Sequence, residues 1–108
     1  MIIIPYSEWM FPQVEALWNI VFPNPTVWNT PASVVAEKLL HQPELFLVAA
    51  ENEEVLGTAM AGYDGHRGWL YTVAVHPARQ RRGLGTMLLK EAEKRLAAIG
   101  CGKVNLQI

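Results

Sequence analysis

The sequence is short of several things, and each shortage excludes a class of protein. It has one cysteine, Cys101, so no disulfide can form within the chain, which fits a reducing, cytoplasmic setting. Cys101 follows a helix-ending Gly100 and reads as a small buried filler rather than a nucleophile, with no His or acid at metal-site spacing from it. Charge is sparse and balanced: 9 Lys and Arg stand against 10 Asp and Glu, 18% of the chain, for a net charge of −1. That is a poor electrostatic footprint for nucleic acid or an anionic membrane surface. Long apolar runs are missing too. The longest strongly apolar stretch, Leu45 to Ala50, is far too short to span a bilayer. Met1-Ile2-Ile3-Ile4-Pro5 lacks the basic start and long apolar centre of a secretory signal. There are no internal repeats, low-complexity tracts or linkers.

What the chain has is apolar content: 51% of 108 residues, enough for one packed domain over residues 1–108 and too much for disorder. Ile2 to Ile4 is a short β-branched run suited to a first strand. Pro12 fits the first turn of a helix in which Val14, Leu17, Trp18 and Val21 recur at helical spacing, ended by Pro23-Asn24-Pro25. A second helix is expected from about Thr30, with Pro31 at its first position and Val34, Val35, Leu39 and Leu40 facing inward. Leu45 to Glu51 and Val55 to Gly62 read as strands around an Asn52-Glu53 turn, and Asp64-Gly65 signals another hairpin before a strand from Trp69 to Val75. The clearest helix runs from Gly83 to Ile99, with Leu84, Leu88, Ala92, Leu96 and Ile99 on one face and Gly100 as its stop. Lys103 to Ile108 alternates as a last strand. Hairpins followed by strand, helix and strand predict an α+β sandwich: a mixed, mostly antiparallel sheet with helices on both faces, closed by a right-handed parallel crossover.

The chain is organised around Val73 to Leu89. There a β-branched strand meets a Pro stop, a basic loop with Arg79, Arg81 and Arg82, two glycines one residue apart, and an amphipathic helix. That order makes an anion site, because glycines let a ligand approach the backbone and the helix start presents unpaired N–H groups. A plain helix start needs no such pair, since Gly in a helix costs roughly 1 kcal/mol relative to Ala.

Gln80-Arg81-Arg82-Gly83-Leu84-Gly85 resembles the Q/R-x-x-G-x-G/A signature of the GNAT superfamily of acyl-CoA-dependent N-acetyltransferases. Val73-Ala74-Val75-His76-Pro77 matches the strand leading into that signature, and the hairpin Gly62-Tyr63-Asp64-Gly65-His66-Arg67-Gly68 is similar to one in small bacterial members. The resemblance implies a cofactor, acetyl-CoA, lying where the strand before the loop and the final strand splay apart. Backbone N–H groups of Arg81, Arg82, Gly83, Leu84, Gly85 and Thr86 would cradle its pyrophosphate. Val73, Ala74 and Val75 would pair with the pantetheine arm, and the Val75 N–H would polarise the thioester carbonyl. The activity implied is transfer of the acetyl group to a primary amine of a small molecule or peptide by direct attack.

Proton handling is less clearly supplied. Many members carry a Glu near the start of the strand before the loop, where this chain reads Gly68-Trp69-Leu70-Tyr71. Asp64 and His66 in the hairpin are the substitutes, or Glu51 through a water. His66 has an ordinary pKa suited to base work, against the plainer reading of a turn residue, and His76 closes its strand. The first two helices flank the acceptor side, so Trp18 and Trp28 are either core or part of that pocket. Family members continue beyond this point with a helix carrying a Tyr, often the proposed acid, and two closing strands. The last strand here would be an apolar edge open to pairing, and a homodimer is expected. A member completed by a partner copy, a chain cut before its natural end, and a non-catalytic CoA-binding module all stay open.

Overall fold

Four antiparallel strands and one parallel strand form the sheet of the computed structural model, which describes residues 1–106, without the side chains of residues 80–82 and 105–106. Ile108, the expected last residue of the final strand, lies outside the described residues. In chain order the elements are β1 (Ile2–Pro5), α1 (Phe11–Val21), α2 (Pro31–Leu40), β2 (Phe46–Glu51), β3 (Glu54–Tyr63), β4 (Gly68–Val75), α3 (Leu84–Ala98) and β5 (Val104–Leu106). The strands lie in sequence order across the sheet; β1 to β4 run antiparallel and β5 runs parallel to β4 through the α3 crossover.

Local chemistry sets the boundaries. Pro12 occupies the first turn of α1, where its missing N–H costs nothing. Thr30 caps α2, its hydroxyl accepting from the Ser33 N–H at 3.4 Å, with Pro31 next. Asn52 and Glu53 both take left-handed backbone, φ 51° and 65°, which is how a two-residue hairpin follows the twist of its strands.

The pleat of the sheet then divides the core. Phe46, Val48, Val55, Met60 and Ala74 pack against Met10, Val14, Leu17 and Trp18 on the α1/α2 side. Leu47, Ala49, Leu56, Ala59, Ala61 and Leu70 face Leu84, Leu88, Ala92 and Leu96 of α3, with Cys101 among them as a buried filler. Three expectations need correction. Leu39 and Leu40 do not face inward: Leu40 is 79% exposed, and Lys38 takes the inner position on the stripe with Pro31 and Val35. Ile99 follows the last helical residue and is exposed. Trp28 is 72% exposed in the turn ahead of α2 and is no core residue.

Candidate functional site

The site grows from an irregularity in β4. Tyr71 lies opposite Met60 and Ala74 opposite Thr58, so Thr72 and Val73 together face Ala59, a β-bulge. Thr72 sits at φ 49°, a left-handed conformation that β-branched residues seldom take. The extra residue switches the alternation. Tyr71 packs on the α1/α2 side, while Val73 and Val75 pack on the α3 side. Past the bulge the His76 N–H donates to the Leu56 carbonyl at 2.8 Å, so the antiparallel alternation turns the main-chain groups of Val75 toward the edge away from β3. On that edge β5 pairs with Gly68, Trp69 and Leu70 and reaches no further among the described residues.

Beside the bulge lies a cleft of about 610 Å³. Trp18, Phe22 and Val34 form its helical wall, Tyr71, Thr72 and Val73 its floor, and Leu89 of α3 closes the far side. Residues from both layers thus meet at one opening in the sheet, where β4 is bulged. The lining is mostly apolar and, among the described residues, holds no carboxylate.

The helix start completes the arrangement. Residues Pro77–Arg82 form a tight turn, begun by His76, whose Nδ1 accepts from the Ala78 N–H at 3.2 Å. Gly83 joins turn to helix at φ 71°, with nothing within 4 Å of where a Cβ would stand. The Met87 N–H donates to the Gly83 carbonyl at 3.0 Å. The amides of Leu84, Gly85 and Thr86 precede that bond, in the turn where a helix offers its N–H groups no acceptor. Val75 Cγ2 lies 3.6 Å from the position of a Cβ on Gly85, so the side chain at the end of β4 sits beside the start of α3. Arg79 does not add an unshared charge here, since it lies 3.9 Å from both Glu51 and Glu54. The side chains of Arg81 and Arg82 lie outside the described residues.

Asp64 and His66 are placed elsewhere. Asp64 Oδ1 accepts from the His66 and Arg67 N–H groups at 2.8 Å each, and these two bonds hold its carboxyl below the ordinary range. A carboxylate so engaged is a turn-former and a weak base. With Gly62, Tyr63, Trp69 and Tyr71 it borders a second, open recess. His66 is exposed on the same hairpin. Glu51, at the end of β2, faces Arg79.

Sequence reasoning missed Lys38. Its Nζ donates to the Ala61 carbonyl at 2.5 Å and stands 5.4 Å from the centre of the Tyr71 ring. Burial brings its pKa down to about 8, with Glu44 pulling the other way. Burial, and then Glu37, raises that of Tyr71. The signal was available: Lys38 stands seven residues after Pro31 and three after Val35, on the helix stripe that faces the sheet. Among the described residues no three His, Cys, Asp or Glu side chains gather as a metal site, and no helix is long and apolar enough to cross a membrane.

A bulged strand running into a glycine-led helix start, beside a cleft reached from both layers, is the layout of an acetyltransferase fold. It superposes with a TM-score of 0.85 on an aminoglycoside 6'-N-acetyltransferase complexed with coenzyme A, at 24% identity, covering 98% of this chain and 61% of that one. The Ard1 protein of Thermoplasma volcanium gives the same TM-score, at 19% identity, with 97% and 69% covered. Residues 11–108 match the acetyltransferase (GNAT) family, and the chain belongs to it. Among its relatives, an acetyltransferase of Pectobacterium atrosepticum is 47% identical over 75% of this chain and 57% of its own length. One of Sodalis glossinidius is 44% identical over 91% and 68%. The chain thus spans between about half and two thirds of the length of these relatives.

Proposed function

We propose that this chain carries the acetyl-CoA-binding part of an N-acetyltransferase that acylates a primary amine of a small molecule or peptide by direct attack. The observation that carries this reading is the proximity of two backbone devices. The Val75 side chain sits beside the helix start at Gly85, so the open half of β4 and the amides of that helix start lie close enough for a thioester arm and a pyrophosphate to be held by neighbouring main chain. The amides of Gly83, Leu84, Gly85 and Thr86, with those of Arg81 and Arg82, suit the pyrophosphate, assisted by the positive end of the 15-residue α3. The open space at Gly83 is what close approach of a phosphate requires. Val73, Ala74 and Val75 would lie along the arm, with the Val75 N–H on the side where the carbonyl would sit.

Acetyl-CoA supplies the activated acyl group. The transfer forms a C–N bond and breaks a C–S bond, while the amine gives up a proton and the departing sulfur takes one. The chain's contribution is to bind, orient and exclude water through the Trp18, Phe22 and Leu89 walls. Those walls also bear on the acceptor. A polycation would call for carboxylates beside it, so an amine attached to an apolar or aromatic group suits the cleft better.

The test is a calorimetric titration of the protein with acetyl-CoA at a known oligomeric state, followed by thiol release across a panel of amines. Micromolar binding at one cofactor per chain is expected, with turnover best on amines bearing apolar groups. A folded protein that binds no acetyl-CoA overturns the reading.

A further inference from the structure

The left-handed residue at the bulge is not left to hold itself. Thr72 places a β-branched side chain at φ 49°, and a conformation of that kind persists only where its surroundings over-determine it. The surroundings here are two buried groups. Thr58 of β3, 0% exposed, donates from Oγ1 to the Thr72 carbonyl at 3.3 Å. The same oxygen accepts from Trp18 Nε1 of α1 at 2.9 Å. Trp18 is anchored in turn by its stack on Phe46, with ring centres 5.8 Å apart.

We infer that Trp18 and Thr58 form a strut that fixes the β4 bulge, and that they are positioning residues for the thioester edge of the cleft. The role rests on the acetyl-CoA reading above. If Thr72 relaxed to extended backbone, the alternation past it would slip by one, and Val73 and Val75 would swing to the other face. The edge amides that suit the pantetheine arm would swing with them. A hydroxyl is needed here because one group must accept from the indole and donate to the carbonyl at once. Trp18 also lines the cleft, so a group seated on its ring bears on the strut that aims the thioester edge. One residue thereby serves both the acceptor wall and the cofactor strand.

Thr58→Val keeps the shape of the side chain and deletes the hydroxyl. Two ligands separate positioning from general damage: acetyl-CoA, and the adenine-nucleotide fragment of CoA that ends at the pyrophosphate. Thr58→Val is expected to weaken acetyl-CoA about tenfold, the size of one lost hydrogen bond. The fragment should be held by the loop alone and change less than about twofold, and Thr58→Ser should restore acetyl-CoA binding. The amide-to-Hα coupling of Thr72, read by NMR, should move to its extended-strand value in Thr58→Val. Unchanged acetyl-CoA affinity, equal weakening of both ligands, or an unmoved Thr72 coupling each overturns the strut. If Thr58→Val does not fold, Trp18→Phe deletes the donor while keeping a ring on Phe46, and the same ligand pair and coupling decide. A native protein that binds neither ligand overturns the cofactor reading instead, while the coupling still reports whether the strut holds the bulge.

Discussion

The two halves of β4 are made of similar residues and do opposite things. From Gly68 to Leu70 the strand is bonded on both sides, to β3 and to β5, and the Gly68 N–H donates to the Lys103 carbonyl at 2.7 Å. From Tyr71 to Val75 it pairs with β3 across a bulge, and β5 does not follow it among the described residues. The first half is satisfied by its neighbours and holds the sheet together. The second is held from beneath, by Thr58 and Trp18, and turns its outer edge toward a cleft. Backbone that is to meet a ligand has to be kept out of the ladder, and that requires support from another layer.

If the division is real, damage to the open end should cost binding and damage to the closed end should cost stability. The largest effect is expected at Gly83, just beyond the open half. Gly83→Glu puts a negative side chain into the open space at the helix start, on backbone at φ 71°. Acetyl-CoA affinity should fall at least about 100-fold, from charge repulsion and a blocked approach together. Gly83→Asn tolerates the left-handed backbone and adds no charge, so its loss should stay within about tenfold. Calorimetry on both variants, with melting curves to confirm folding, checks this. Equal affinity in Gly83→Glu and the native protein would show that the phosphate site is misplaced.

The next effect falls on the closed half. A Cβ on Gly68 would stand 2.7 Å from Cys101 Sγ and 3.0 Å from Leu96 Cδ1. Gly68→Val should therefore destabilise the fold by about 1–3 kcal/mol through overpacking. In the fraction that stays folded, binding should be unaltered. Urea unfolding with and without acetyl-CoA separates the two terms. A variant of native stability but weakened affinity would erase the distinction between the halves.

Much of this was legible in the sequence, and the boundary of legibility follows the physics. Pro12, Pro31, the Asn52-Glu53 turn and the Leu84, Leu88, Ala92 and Leu96 stripe are local signals, and the elements they mark are where the spacing put them. The glycine-led helix start was legible for the same reason. The bulge was not. Trp69, Tyr71, Val73 and Val75 alternate as if they shared one face, and only the register against Thr58 and Met60 of β3 reveals that one residue is extra. Thr58 reads as an ordinary strand residue until Trp18, forty residues earlier, is seen to bond to it. Leu39 and Leu40 are apolar but out of phase with the inward stripe, whose inner position belongs to a lysine.

That lysine stands at the joint between the halves and carries the smallest expected effect. Lys38 bonds to Ala61, the partner of Leu70, and lies over Tyr71, the first residue of the open half. Its folded pKa, lowered from 10.5 to about 8 mainly by burial, means that the unfolded chain holds the proton more tightly than the folded one. Between those two values the unfolded state binds more protons, so stability rises with pH across that window and is lost as pH falls through about 8. Tyr71, raised by burial, works the other way once pH passes its ordinary value of 10.0, which sets the upper limit of a clean measurement. Urea midpoints of the native protein should climb from about pH 8 to about pH 10, by on the order of 1 kcal/mol. Lys38→Met, which keeps the stem and removes the charge, should be flat over the same range. A native profile as flat as that of the variant would mean that Lys38 keeps its proton at no cost, and that the joint between the halves is held by packing alone.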